Sequence, residues 1–180
     1  MNLDGLRVIS VDPSLRSTGL YCNWKDSSET ISCKSASHVG ALFHLGNVLS
    51  SRCIGADAML VEDYAYGKAG MSKSLTSMGE VRGVITYIAK KENVSIFPVP
   101  IQTWKSRVPK LPRKVNTKSG LMEYARCASE AYHRPFATPD EADAFMMFDA
   151  VRTLLQVEPT HKLSVLMTEI LLGGLQFVSE

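Results

Sequence analysis

The sequence predicts one mixed α/β domain: a five-stranded sheet, with three strands in an antiparallel meander and two more running parallel, flanked by helices. Three observations carry that expectation. Strand-like runs crowd the first 35 residues, two later apolar runs alternate with stretches of helical periodicity, and 180 residues with 45% hydrophobic side chains suffice for one sizeable core.

Residues 6–12 (LRVISVD) form an apolar run that predicts a buried strand ending in Asp12. Residues 17–24 and 29–35 predict two more strands, joined by the polar turn Lys25-Asp26-Ser27-Ser28. Leu42, Leu45, Leu49 and Cys53 recur at helical spacing and predict a helix over 39–53. The next apolar run, 58–61, again ends in an acid, Glu62. Leu75, Met78, Val81, Ile85 and Ile88 predict a helix over 73–91, in which Gly79 and Gly83, one turn apart, permit close approach of another element. A short strand over 94–98 follows, then a basic segment, a helix over 121–132 and another over 139–155. The start of that last helix is marked by Thr138 as cap, Pro139 in the first turn and Glu141 completing a Thr-x-x-Glu capping box. Residues 156–162, with Pro159, form a linker to an amphipathic helix in which Leu163, Leu166, Met167 and Ile170 share a face. The chain thus divides into a core over 1–157 and a C-terminal helical extension over 158–180.

Composition excludes some functions. A formal net charge of +2 announces no nucleic-acid partner by itself, so the distribution of charge matters more than its sum. Cys22, Cys33, Cys53 and Cys127 form no C-x-x-C pair and no secretory signal precedes them, which predicts a reduced, intracellular, cytoplasmic protein. The apolar stretch 163–178 is interrupted by Thr168, Glu169, two glycines and Gln176, and is too short to span a bilayer, so no membrane role is expected. His38, His44, His133 and His161 lack metal-ligand spacing; His133 comes nearest the acids described next, and a structural role is the better reading for it.

Asp12 and Glu62 each end an apolar strand. If those strands are adjacent and parallel, both carboxylates leave the same sheet edge. Asp140 and Asp143 lie three apart on a helix, hence on one face. Four carboxylates brought together repel one another, so the cluster makes sense around hard divalent cations, with Mg2+ as the natural ion and Mn2+ as a substitute. Two such ions about 3.5–4 Å apart, bridged by Asp12, would activate a water and stabilise the leaving oxygen of a phosphodiester. The bland alternative is that Asp140 and Glu141 meet a helix dipole and Asp12 opens a turn before Pro13. It leaves Asp143, deep in an apolar helix, and Glu62, at the end of a buried run, unexplained.

Residues 101–118 hold Lys105, Arg107, Lys110, Arg113, Lys114 and Lys118 and no acid, a pattern that suits a phosphate-contacting surface as well as a solvated loop broken by Pro109 and Pro112. Beside a hard-metal site, the DNA or RNA reading is preferred. Just past Glu62, Tyr64 and Tyr66, with Lys68 beside them, could stack on an unpaired base or serve as ordinary packing residues.

The order of these motifs resembles the RuvC-type Holliday-junction resolvases of the ribonuclease H-like superfamily. The matching pieces are VISVDPSLRSTGLY, MLVEDYAYGK, GEVRGVITYIAKK, VPIQTWKS and PDEADAFMMFDAVR, which cover most of residues 6–155. The resemblance implies a ribonuclease H-like fold and a homodimeric, magnesium-dependent endonuclease. Such an enzyme nicks two opposed strands of a four-way DNA junction, each subunit supplying one acidic site. By matching position, the catalytic and metal-binding acids fall on Asp12, Glu62, Asp140 and Asp143, and the DNA-contacting lysines on Lys105 and Lys118. Arg107, Lys110, Arg113 and Lys114 are additions from this sequence alone, and the helix with Gly79 and Gly83 matches the dimer interface. The chain departs from the pattern at Ser14, where glycine is usual, and at Ala65, where an aromatic wedge is expected but Tyr64 and Tyr66 stand on either side. It also continues through 163–180, which compact bacterial members lack. This segment is an added lid or dimer element on that reading, and the divergence points to a phage or other mobile-element member. Other readings stay open: a broader flap or fork nuclease, an RNA-processing relative, or a junction-binding protein without cleavage. An actin-like ATPase, suggested by DPSLRSTG, ranks low because it needs two lobes.

Overall fold

The structure, a computed structural model, describes residues 3–33, 37–63 and 72–173. Its centre is a five-stranded sheet of order β3-β2-β1-β4-β5, formed by β1 (Val8–Asp12), β2 (Ser17–Cys22), β3 (Ser27–Ser32), β4 (Ala58–Asp63) and β5 (Ser95–Pro100). β1, β2 and β3 pair antiparallel, whereas β1–β4 and β4–β5 pair parallel. The helices are α1 (His38–Cys53), α2 (Ser72–Lys91), α3 (Ile101–Lys105), α4 (Lys118–Tyr132), α5 (Pro139–Val157) and α6 (Lys162–Gly173). This is the predicted mixed sheet with its meander and parallel half.

β1 is buried along its whole length, as is β4 up to its last residue, because helices cover both faces. That is why both strands read as continuous apolar runs rather than alternations. Alternation survives in where the side chains go. Ile9, Val11, Met59 and Val61 enter the core shared with α1 and α2, while Val8, Ala58 and Leu60 enter the one filled by α4, α5 and α6. Asp12 and Glu62 continue the second set and so fall on the α5 face.

α5 lies across β2 and β1 and is apolar almost all round, as a helix buried on most sides must be. The predicted cap forms, with the Glu141 amide donating to the Thr138 hydroxyl at 3.1 Å, but the Glu141 side chain reaches one residue further back than a capping box requires, Oε2 accepting from the Ala137 amide at 2.9 Å. β3 joins it. The hydroxyls of Thr30 and Thr138 share a 2.6 Å hydrogen bond, and Thr30 also donates to Glu141 Oε1 at 3.1 Å. The other end of α5 is held by Arg107, which grips both Glu158 oxygens at 2.8 and 2.9 Å. α6 buries Leu163, Met167 and Ile170 in the same core, so the described part of the C-terminal extension is fastened to the domain.

Several boundaries differ from expectation. β2 stops at Cys22 because Asn23 leaves the ladder, accepting from the Val8 amide at 2.7 Å and donating to the Leu6 carbonyl at 2.8 Å. A short turn of 3-10 helix, Asn23–Lys25, then closes through Asp26 in the left-handed region (φ 46°), and β3 runs from Ser27 instead of 29. α4 starts three residues before the predicted helix, capped by Thr117, whose hydroxyl accepts from the Gly120 amide. α3 had no sequence signal. Among the described residues nothing comes within 4 Å of a methyl group built on Gly79 or Gly83; the close helix approach is at Gly46, where such a methyl meets Val84 at 3.4 Å. No helix among the described residues is long and apolar enough to cross a membrane.

Candidate active site

β1 and β4 run side by side in parallel with Val11 opposite Val61, so the next residue of each strand, Asp12 and Glu62, leave the sheet together. Both are buried, with 8% and 5% of their surface exposed. The first turns of α5 pass directly over them. Asp143 is 5% exposed and Asp140 lies nearer the surface. One residue makes this approach possible. Gly19, the ladder partner of Asp12, faces the α5 backbone so closely that a methyl group there would sit 2.0 Å from the Asp140 carbonyl oxygen. The neighbouring Ser17 hydroxyl donates to Asp140 Oδ2.

The four predicted acids are therefore brought to one edge, and their charges are felt. Burial, reinforced by Glu62 and Asp143, pushes the Asp12 carboxyl well above its usual range. Burial likewise raises Glu62, partly offset by the charge of Lys105. Glu62 and Asp143 each have a donor that sequence reasoning missed. The Trp104 indole N–H donates to Glu62 Oε2 at 3.0 Å, and the Tyr124 hydroxyl donates to Asp143 Oδ1 at 2.6 Å. The sole hint of the first was an aromatic beside Lys105 in a basic segment. Tyr124 reaches the site from a separate helix and left no local signal.

Lys114 enters the middle of the cluster. Its ammonium lies 3.0 Å from Asp140 Oδ1 and 3.3 Å from Asp143 Oδ2, and 5.8 Å from the centre of the Tyr124 ring. Burial opposes its charge, but Asp143, Asp140 and Asp12 together hold its pKa above that of an ordinary lysine. The donor set is all oxygen, which suits a hard divalent cation. Among the described residues, no three acidic, histidine or cysteine side chains close on one point as a finished metal site would; the cation among these carboxylates is the lysine.

The other predicted contacts divide. Lys105 ends α3 with its ammonium 5.0 Å from the centre of the Trp104 ring, and its charge reaches Glu62. Lys110, Arg113 and Lys118 are exposed. Arg107 is committed elsewhere: besides Glu158 it donates to the Thr103 carbonyl at 2.7 Å. Tyr64, Tyr66 and Lys68 lie outside the described residues. His133 caps α4 in the left-handed conformation (φ 50°), the structural role favoured for it. Ser14 sits in a turn that Thr18 closes, the Thr18 hydroxyl accepting from the Ser14 amide at 3.2 Å.

No protein-family model and no curated protein sequence matches the chain. Solved structures do. A Thermus thermophilus RuvC in complex with a Holliday junction substrate aligns with a TM-score of 0.61 at 13% identity, over 85% of this chain and 96% of that one. A second T. thermophilus RuvC structure gives 0.59 at 12% identity, over 83% and 95%. The yeast mitochondrial Holliday junction resolvase Ydc2 gives 0.50 at 14% identity, over 90% and 84%. At these identities the likeness establishes the fold: the chain has the ribonuclease H-like architecture of these proteins. None of the comparisons bears on a phage origin.

Proposed function

We propose that the chain is a metal-dependent, structure-selective DNA endonuclease that resolves four-way junctions by paired nicks. The observation that carries this reading is the convergence of Asp12 and Glu62, from adjacent parallel strands, with Asp140 and Asp143 from α5. A fold shared with a RuvC seen on a Holliday junction substrate supports branched DNA as the partner. Asp12, Glu62, Asp140 and Asp143 would hold two Mg2+ ions, or Mn2+ in their place. When bound, such ions supply an activated water and charge neutralisation at the leaving oxygen. The protein's own residues do the rest. Trp104 and Tyr124 orient Glu62 and Asp143 by hydrogen bonds, as groups behind metal ligands commonly do. Lys105, Lys110, Arg113 and Lys118 contact phosphates, which fixes register without reading sequence. Tyr64, Tyr66 and Lys68 are further DNA contacts on this reading.

Two sites for two opposed nicks call for two copies. We assign the dimer contact to the face of α1 and α2, where Val39, Phe43, Ile54 and Tyr87 stand exposed around a groove of about 610 Å³. Residues 1–157 are the nuclease core on this reading and 158–180 an appended helical extension. Action in a reducing, cytoplasmic setting suits Cys22 and Cys53, whose buried thiols are pushed up to about 11 and about 12.

The test is cleavage of end-labelled synthetic four-way junction, flap, fork and linear duplex with Mg2+, comparing wild type with Asp12→Asn. Paired symmetric nicks in the junction alone, absent in the variant, support the proposal. Equal cutting of flaps and forks redirects it to a broader branched-DNA nuclease, a reading that Ala65 in place of an aromatic wedge favours. Junction binding without metal-dependent cutting of any substrate refutes it.

A further inference from the structure

The hydrogen bonds around Asp140 and Asp143 follow one pattern. Each carboxylate has one oxygen held by a neutral hydroxyl: Asp140 Oδ2 by Ser17 and Asp143 Oδ1 by Tyr124. Each has its other oxygen, Asp140 Oδ1 and Asp143 Oδ2, held by Lys114. The hydroxyls are fixtures. Tyr124 is buried in α4 and Ser17 opens strand β2. Lys114 is not: its side chain is 36% exposed, and it rides on the irregular segment between α3 and α4 among exposed neighbours Pro112, Arg113, Val115 and Asn116.

We propose that Lys114 is an exchangeable internal cation: it occupies Asp140 Oδ1 and Asp143 Oδ2 in the metal-free protein, and a divalent ion must displace it to bind. The inference rests on the reading of the acidic edge as a metal site. Like-charged carboxylates packed beneath a helix need a compensating charge, and the ammonium supplies it until an ion arrives. Metal loading and lysine release are then one equilibrium, and coupling of this kind is reciprocal. It reassigns Lys114 from a phosphate contact to a gatekeeper of metal affinity, and it keeps the site assembled in the absence of metal.

The experiment is Mn2+ binding to the full chain, followed calorimetrically and by the paramagnetic signal of free Mn2+, for wild type, Lys114→Met, Lys114→Arg and Asp12→Asn. Melting temperatures are taken without ion and at saturation. Lys114→Met is expected to bind Mn2+ roughly tenfold more tightly than wild type, inside the range that couplings between sites usually span. It is also expected to melt lower than wild type without ion and to close that gap when loaded. Lys114→Arg keeps the charge and restores wild-type affinity and metal-free stability, which makes the idea testable even if the methionine variant folds poorly. Unchanged or weaker Mn2+ binding by Lys114→Met, with wild type binding and Asp12→Asn not binding, overturns the displacement idea alone. Absence of binding by wild type, or binding that survives Asp12→Asn, removes the metal site itself and the displacement idea with it.

Discussion

Gly19→Ala is the sharpest perturbation the geometry offers. The added methyl would lie 2.0 Å from the Asp140 carbonyl oxygen and 2.4 Å from its carbonyl carbon, where ordinary contact begins at 3.4 Å. The obstacle is backbone, so no side chain can swing aside, and the start of α5 must retreat by about 1.4 Å. That retreat works against Thr30, Thr138 and Glu141, which tie the same turn to β3. Overpacking of this kind costs about 1–3 kcal/mol or more. Since a 1 Å misplacement can lower a rate about 100-fold, junction cleavage should fall by at least that much even in molecules that remain folded. Urea denaturation and single-turnover cleavage measure the two effects. Gly5→Ala is the control, because nothing lies within 4 Å of its methyl, and it should leave cleavage unchanged. Wild-type stability and rate in Gly19→Ala would refute the argument that this glycine seats the helix acids over Asp12.

Trp104→Phe removes the indole donor from buried Glu62; a loss of about 1–3 kcal/mol in urea denaturation is expected, and unchanged stability would show that the hydrogen bond contributes nothing. Asp12 and Glu62 have raised pKa values in the folded protein, so they favour folding while protonated and lose that contribution as pH rises from the ordinary carboxylate range through the raised values. Without metal, Asp12→Asn should therefore gain stability relative to wild type across that window; a flat difference between the two would contradict the cause given. Lys118→Ala should reduce the slope of log affinity against log salt for junction DNA by about 0.9, the value per phosphate contact. Arg107→Ala should leave that slope alone and lower stability, because its guanidinium is bound to Glu158. Tyr87→Glu, placing a charge in the exposed α1–α2 groove, should convert a dimer to monomers in sedimentation; a dimer that persists moves the interface elsewhere.

What was legible in the sequence was whatever is written at short range. The apolar runs ended at Asp12 and Glu62, the three-residue spacing put Asp140 and Asp143 on one helix face, and Thr138 with Glu141 announced where that helix begins. What was not legible depends on parts of the chain that meet only in the fold. Nothing near Lys114 distinguishes it from Lys110 or Arg113, yet of the three it is Lys114 that pairs with Asp140 and Asp143, while Arg107 turns to Glu158. Trp104 and Tyr124 become partners of Glu62 and Asp143 only after α3 and α4 dock. Gly79 and Gly83 looked like packing glycines because spacing cannot say whether a neighbour exists; Gly46, with no such pattern around it, is where the two helices approach.

The long reach of α5 has a consequence for how the protein is made. The Ser17–Asp140 hydrogen bond joins residues 123 positions apart, so the edge cannot be completed while the chain is short. A chain leaving the ribosome begins folding from its N-terminal part. Asp12 and Glu62 are therefore made well before the segment bearing Trp104, Lys114 and Tyr124, and α5 follows that segment. On the proposed function, the ability to cut DNA switches on at a late point in translation. On the same reading, a product terminated before residue 139 would hold two of the four acids and lack the means to cut.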